Sequence, residues 1–279
     1  DQGGKLTHAR WLDTIKKYSG VSDIDEESII SGEGAPNESA DKTINSYIDL
    51  STWTFYKRSH DTPDIWSNEG KMYFEKTEYT TDGLNFSLLY DGTYEVGSQV
   101  KTYKTITIPE TYKGKPVTSI VESAFAYCSN LTSVSIPDSI KIIERRAFYC
   151  CSSLTSITIP NSVTYIGSYA FSDCTSLAEF TISSGIKSIE EGTFYSCTSL
   201  KTMIVPESVE NLGDYAFKDC RSLASITLPS NLKTIGIATF YYCDMLETID
   251  LPDSVREIGE RAFVSCHSLT YINIPKNVK

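Results

Sequence analysis

A repeat of 23 residues constrains this chain more than any other feature. Seven cysteines and seven phenylalanines each recur at that step, at Cys128, Cys151, Cys174, Cys197, Cys220, Cys243 and Cys266, and at Phe125, Phe148, Phe171, Phe194, Phe217, Phe240 and Phe263. Self-similarity at a fixed period of this length is typical of solenoids, in which each repeat packs only on its neighbours. The sequence therefore predicts a stack of coils over residues 104–279.

The apolar positions within one repeat predict how a coil is built. In the unit that begins at Leu154, alternate apolar residues end at Pro160, which indicates a short strand closed by a residue that lacks a backbone N–H. Gly167 recurs in several later units, but Glu144 and Glu190 stand at the same place, so a left-handed conformation is not required there. The expected inward-facing residues of this unit are Leu154, Ile157, Ile159, Val163, Ile166, Ala170, Phe171 and Cys174.

Written as LxxIxIPxxVxxIGxxAFxxC, the repeat resembles the BspA-like leucine-rich repeat of bacterial surface antigens. It fits seven successive units, and the resemblance covers residues 84–279. Ser183 departs from it at the proline, and Thr193 and Thr239 depart from it at the alanine. The resemblance implies an α/β or mainly-β solenoid of about eight coils, with parallel strands on one face and short turns or helical pieces on the other. It also implies a secreted bacterial protein held at the cell surface and used in adhesion or protein binding.

The first 80 residues lack the period and are expected to form a small mixed α/β domain of unknown role. Helical spacing of apolar residues predicts a helix over residues 6–18, and a short second helix is expected over residues 42–48. Aromatic, alternating runs predict strands over residues 53–58 and 72–79.

Residues 81–103 are expected to cap the first coil. Two alternating runs within residues 84–96 flank Asp91-Gly92, a pair that favours a tight two-residue turn, so a β-hairpin is predicted. A solenoid needs such an element to cover the apolar end of its first unit. Residues 105–109 would then form the first strand of the stack, followed by an insertion at residues 110–115.

Charge and composition narrow the classes of partner. The net charge is −11, and both residues 1–80 and the rest of the chain have an excess of acidic residues. This excess repels nucleic acid and anionic membranes. The sequence holds no apolar run long enough to cross a bilayer, and we expect an exported protein whose signal peptide is not part of this sequence.

The cysteines are expected to be buried free thiols. The spacing of coils would itself allow a disulfide, but pairing seven aligned residues leaves one over, and each has apolar neighbours. Cys150 lies off the repeat position, so it is expected to face outward and to react. No Cys/His cluster indicates a metal, and no cofactor is expected.

Binding residues are expected on the outward side of the strands. A Ser/Thr array at this spacing is found on ice-binding surfaces, but a solvated strand face has the same composition, and we favour that explanation. The array becomes more varied toward the C-terminal coils, so a protein or glycan site is predicted there. Its residues are Glu179, Thr181, Thr202, Thr227, Thr248, Asp250, Tyr271 and Asn273.

Two functions follow from this pattern. The first is an adhesion protein that binds a host or matrix protein or a surface glycan through the strand face. The second is a structural spacer that displays or anchors another domain. No enzyme is expected, because the repeats lack a recurrent base, nucleophile or metal set. Any chemistry would fall in residues 1–80 around His60, Asp61, Asp64 and Trp66, where a loop explains the composition equally well.

Overall fold

The computed structural model describes residues 53–56, 73–76, 78–79, 83–89, 91–98 and 100–278. By its backbone the chain divides into two compact units, one of Asp1–Glu78 with Ser87–Gly92 and the other of Tyr79–Phe86 with Thr93–Lys279. In the first unit, Trp53–Tyr56 pairs antiparallel with Tyr73–Lys76, which confirms the two predicted strands. The helices predicted at 6–18 and 42–48 lie outside the described residues, and the boundaries at 80/81 and 103/104 remain predictions.

The second unit is a solenoid of eight coils. Each coil begins with a three-residue strand, and we number the coils 1 to 8 by these strands, which together form the first ladder: Thr105–Thr107, Ser133–Ser135, Ser156–Thr158, Glu179–Thr181, Thr202–Ile204, Ser225–Thr227, Thr248–Asp250 and Tyr271–Asn273. They pair in parallel, two by two, in register with the repeat, so that Thr202 lies beside Ser225. The solenoid predicted from the 23-residue period is confirmed.

A second ladder runs along another side of the coils, with a six-residue strand in coil 1 and two-residue strands in coils 2 to 7. Its members are Lys115–Ile120, Ile142–Ile143, Tyr165–Ile166, Ser188–Ile189, Asn211–Leu212, Thr234–Ile235 and Glu257–Ile258. The expectation had placed strands on one face and turns or helical pieces on the other. The structure instead has strands on two sides and turns on the third, with no helix in the part of the chain that it describes.

The hairpin before the first coil is longer at its turn than expected. Its strands are Leu84–Leu88 and Tyr94–Ser98, joined by residues 89–93 rather than by two residues. The Gly92 amide donates to the Leu89 carbonyl at 3.0 Å, and Gly92 has φ +85°. Asp91-Gly92 therefore lies at the end of the turn, and Gly92 adopts the left-handed conformation that glycine readily allows.

The hairpin covers the end of the stack because Tyr94–Ser98 pairs in parallel with Lys115–Ile120. The insertion after the first strand of coil 1 forms a second hairpin, in which Thr111–Tyr112 pairs antiparallel with Lys115–Ile120. Its turn residues, Lys113 and Gly114, have φ +49° and +75°. The Tyr112 ring then stacks on Phe86 with centroids 4.1 Å apart, so the insertion packs onto the cap.

The core is a column of phenylalanine rings. Six of the seven repeat phenylalanines are fully buried, and successive rings in coils 4 to 6 are stacked with centroids 5.3 and 5.6 Å apart. The cysteines lie beside this column. The thiol of Cys197 donates to the carbonyl of Phe171 in the preceding coil at 3.2 Å, and five other repeat cysteines make the equivalent bond.

All eight cysteines are free thiols, as predicted. Burial is the largest cause that raises the pKa of six repeat thiols, those of Cys128, Cys174, Cys197, Cys220, Cys243 and Cys266, to about 11 for Cys128 and Cys266. They therefore stay protonated and act as small apolar groups that each donate one hydrogen bond.

The column is wider between coils 3 and 4 than elsewhere. Phe180 stands where other coils carry a smaller apolar residue, and its ring lies edge-on to Phe171 and Phe194 at 5.0 and 4.6 Å. These two column rings are 6.0 Å apart. The second ladder is broken at the same coils, where Tyr165–Ile166 and Ser188–Ile189 belong to different sheets. One oversized core residue thus spreads two coils and costs the hydrogen bonds between their short strands.

Ser183, the departure from proline in coil 4, is fully buried. Its hydroxyl donates to the Val163 carbonyl at 2.6 Å and accepts from the Gly185 amide at 3.0 Å, so the side chain takes part in the turn. The repeat glycines allow the backbones of neighbouring coils to approach closely. A Cβ on Gly167 would lie 2.5 Å from the Arg145 nitrogen of the preceding coil. As the sequence indicated, this position needs no left-handed conformation.

Left-handed residues occur at two other places in each of coils 1 to 7, in the turns of the third side. They lie two residues before and two residues after the core phenylalanine, as at Tyr169 (φ +58°) and Asp173 (φ +59°) around Phe171. Non-glycine residues in this conformation cost about 1–2 kcal/mol each. The amides of Tyr169 and Asp173 donate to Glu191 and Tyr195 of the next coil at 2.8 Å, and this bonding between coils holds the turn in place.

Candidate binding surface

The predicted binding residues lie together on the outward side of the first ladder, which we call the strand face. Glu179 and Thr181 pair with Ser156 and Thr158, and Thr248 and Asp250 pair with Tyr271 and Asn273. The residue between each outward pair faces the core, as Ile249 does at 1% exposure. Alternation along each strand thus sends one apolar side chain inward and two side chains to solvent.

Seven of the eight predicted residues are exposed on this face. They are Glu179, Thr181, Thr202, Thr227, Thr248, Asp250 and Tyr271. Tyr271 is 57% exposed, and Ile204, which lies between Thr181 and Thr227 in neighbouring coils, is 73% exposed. The face therefore presents a hydroxyl background with an isoleucine, a tyrosine and two carboxylates.

Asn273 differs from the other predicted residues because the fold uses its side chain. It is half-buried, its Oδ1 accepts from the Leu251 amide at 2.7 Å, and its Nδ2 donates to the Leu251 carbonyl at 2.9 Å. Both polar ends of the amide are occupied by the backbone of coil 7. The geometry therefore favours a structural role for Asn273.

A second group of side chains, which the sequence analysis did not single out, lies on the third side of the coils. Coil 6 carries two adjacent half-buried tyrosines there, Tyr241 and Tyr242, with ring centroids 4.4 Å apart; counting only Tyr241, coils 2 to 6 each place one such ring. Three follow the core phenylalanine directly, and two precede it by two residues, so the position alternates from coil to coil. We call this set the tyrosine stripe: Tyr149, Tyr169, Tyr195, Tyr215 and Tyr241.

Cations lie among the rings of the tyrosine stripe. The Lys218 Nζ is 5.2, 5.6 and 5.3 Å from the ring centroids of Tyr195, Tyr215 and Tyr241. The Arg146 guanidinium is 5.7 Å from Tyr149 and 5.9 Å from Tyr169. These distances are within the range of cation–π attraction, which holds both side chains against the stripe.

Hydrogen bonds further order the stripe. The Tyr169 hydroxyl donates to Glu191 at 2.6 Å, and burial, followed by this bond, raises the tyrosine pKa. The hydrogen bond with Cys150 is the largest cause that raises the pKa of Tyr149 to about 12. Both phenols therefore remain neutral under ordinary conditions.

Cys150 lies near its expected place. Cys150 is half-buried rather than fully outward, and burial raises its thiol pKa despite the lowering effect of the Tyr149 hydrogen bond. The predicted reactivity is therefore weakened, because the thiolate is the reactive form. His267 is exposed and its Nδ1 lies 2.7 Å from Asp244.

The described residues form neither a metal site nor a membrane-spanning helix. Within the described ranges, no three His, Cys, Asp or Glu side chains converge on a point that suits a metal ion. That same part of the chain contains no helix long and apolar enough to span a bilayer.

The third side also carries a shallow groove where Gly213, Gly236 and Gly259 follow the second ladder in successive coils. It is walled by Asn211, Thr234 and Glu257 on one side and by Asp214 and Ile237 on the other. The Asp214 carboxylate accepts from the Ile237 amide at 2.6 Å. This carboxylate bridges two coils of the groove wall.

Comparison with known proteins identifies the family. Six copies of the BspA type leucine rich repeat region match the chain, over residues 98–223 and 166–279. A search of curated proteins returns no match. Among solved structures, a leucine-rich repeat protein of T. pallidum is 30% identical with a TM-score of 0.63, over 69% of this chain and 91% of the other.

A leucine-rich repeat protein of Eubacterium ventriosum is 26% identical, with a TM-score of 0.58, over 74% of this chain and 56% of its own length. These neighbours share the solenoid with its repeat, and the family match spans more than half of the chain. The chain therefore belongs to the BspA-type leucine-rich repeat family.

Proposed function

We propose that this protein is an exported cell-surface protein that binds a protein or a surface glycan through its strand face. The observation that carries the proposal is the contrast between the two sides of each strand. The inward residues repeat from coil to coil, whereas the exposed residues change, with Glu179, Ile204, Asp250 and Tyr271 interrupting the Ser/Thr background. A purely structural face has no need of this variation.

The chemistry of the exposed residues supports recognition. Tyr271 contributes a large contact area at low conformational cost, and the exposed Ile204, three coils away on the same face, adds apolar area that a partner can bury. The two carboxylates supply charge that orients the partner. Solenoids of stacked repeats use extended surfaces of this kind for binding. Export and surface location are supported by the family's association with bacterial surface antigens.

The test is binding of the intact chain to an array of matrix proteins and surface glycans. The variant Glu179→Ala, Asp250→Ala, Tyr271→Ala changes the residues that interrupt the background. A matched control, Ser135→Ala, Ser156→Ala, Ser225→Ala, removes exposed hydroxyls from the same face. We expect saturable binding that the first variant loses by about tenfold or more and the control retains. If nothing on the array binds, the spacer function is favoured instead.

A further inference from the structure

The tyrosine stripe repeats in a way that its position in the fold does not require. Its rings form two columns along the solenoid axis. Tyr149, Tyr195 and Tyr241 stand in coils 2, 4 and 6, directly after the core phenylalanine, and Tyr169 and Tyr215 stand in coils 3 and 5, two residues before it. Coils 2 to 6 thus each contribute one ring to the stripe, alternately to one side and the other of a line along the axis, and coil 6 adds Tyr242 beside Tyr241.

The spacing of these rings follows from the spacing of the coils. Adjacent coils in parallel ladders are about 4.8 Å apart, so rings in the same column recur at roughly 10 Å. The core phenylalanine rings behind them have a similar spacing per coil, with centroids 5.3 Å apart for Phe194 and Phe217. The stripe is therefore a row of aromatic groups with one step per coil and a sideways alternation at each step.

At least one ring presents a face to solvent. A Cβ on Gly192 would collide with the Tyr169 ring, which shows that this ring lies flat over the next coil. Because Gly192 is buried and Tyr169 is only half-buried, the opposite face of the ring is the one that reaches solvent. Because Gly192 has no Cβ, the Tyr169 ring can pack over its backbone.

We propose that the tyrosine stripe binds an extended β-1,4-linked glycan chain lying along the solenoid axis. Such a chain advances by close to one coil spacing per sugar and turns each sugar over relative to the last. Its apolar C–H faces are suited to stacking on aromatic rings, and the alternating columns meet sugars that face alternate sides.

Fixed polar groups beside the rings suit the hydroxyls of a glycan. Lys218 is held by three tyrosine rings, and its ammonium group has three N–H donors. Asp173 and Glu191 lie in coils 3 and 4 next to the stripe and offer acceptors, although each already takes one bond, from Ser172 and from Tyr169. A row of apolar surfaces with a few placed donors and acceptors is what an oligosaccharide requires.

The stripe and the strand face are on different sides of the coils, so the two proposals are tested separately. The probes are cellohexaose and chitohexaose, with maltohexaose as the matched control because its α-linked chain is helical and lacks the extended repeat. Titration calorimetry on the intact chain should show binding of a β-linked hexamer that is at least about tenfold tighter than that of maltohexaose. Equal affinities, or no binding of either β-linked hexamer, would overturn the proposal.

Variants then locate the binding. Tyr195→Leu with Tyr241→Leu removes two rings from one column and should weaken the β-linked hexamer by about tenfold or more. Tyr195→Phe with Tyr241→Phe keeps the rings and should stay within about threefold. The strand-face variant Thr202→Ala, Thr227→Ala, Thr248→Ala should bind as the unaltered protein does. Loss with the strand-face variant, or none with the leucine pair, contradicts the proposal.

A measurement on the unaltered protein covers the case in which the leucine pair misfolds. Tetranitromethane nitrates accessible tyrosines, and mass spectrometry locates the products. Bound cellohexaose should reduce nitration at stripe tyrosines and leave Tyr271, on the strand face, unchanged. Protection of Tyr271 alone, or of no tyrosine, would refute the assignment to the stripe. If only a protein of the matrix array reduces nitration at the stripe, the surface serves a protein and the glycan proposal is wrong.

Discussion

Replacement of Phe194 by alanine tests whether the phenylalanine column holds the coils together. Phe194 is fully buried, stacks on Phe171 at 6.0 Å and Phe217 at 5.3 Å, and meets Phe180 edge-on at 4.6 Å. A buried Phe→Ala change costs about 3–5 kcal/mol, and three aromatic contacts place this site in the upper part of that range. We therefore expect a loss of about 4–5 kcal/mol in the free energy of unfolding.

The assay is urea denaturation followed by circular dichroism, together with amide hydrogen exchange resolved by coil. Because coupling in a solenoid is between neighbours, coils 3 to 5 should lose protection before the others. Phe263→Ala is the matched control, since Phe263 is half-buried and stacks on Phe240 at 5.4 Å, and it should cost about half as much. A cost below about 1 kcal/mol at Phe194, or equal costs at both sites, would refute the column as the source of stability.

Three further predictions concern single residues. Cys150, half-buried and outside the thiol column, should be the cysteine that iodoacetamide modifies fastest in the folded protein, and equal labelling of all eight thiols would contradict this. The free energy of unfolding should fall as pH rises from about 9 through about 11, because the thiols ionise in the unfolded chain before the buried thiols ionise in the folded protein, and no fall in stability would contradict this. Gly192→Ala should cost about 1–3 kcal/mol because its methyl group meets the Tyr169 ring, in addition to about 1–2 kcal/mol for a side chain on a left-handed backbone at φ +58°. In a double-mutant cycle Tyr169→Ala should relieve the first part only, and additive costs would show that the ring is not involved. Phe180→Ile should draw coils 3 and 4 together and protect the amides of Ser188–Ile189 from exchange, which unchanged exchange rates would exclude.

Much of the fold could be predicted because the core repeats. The phenylalanines, the cysteines and the apolar residues of the first ladder recur at one step, and a fixed step has few structural explanations. The second ladder was missed because its strands in coils 2 to 7 are only two residues long and offer no alternation to detect. The left-handed turns were missed because the residues there, among them Arg146, Tyr169 and Ala238, share no chemistry. Their conformation is imposed by hydrogen bonds to the next coil.

Local exceptions were beyond the reach of the repeat pattern. Phe180 fits the pattern as one more apolar residue, and only the packed column shows that its ring spreads two coils. Asp91-Gly92 indicated a hairpin correctly but not its turn, because the same pair also ends longer turns. The tyrosine stripe escaped notice because its columns recur every second coil, at twice the period that defines the fold.

The strand face as the binding surface is the central claim, and footprinting of a complex tests it most directly. The partner is the tightest binder from the array of matrix proteins and glycans, and carbene labelling of the intact chain is compared with and without it. We predict protection of the peptides that contain Glu179, Ile204, Asp250 and Tyr271, with the second ladder unchanged. Protection confined to the tyrosine stripe or to residues 1–80, with the strand face labelled as in the free protein, would contradict the claim.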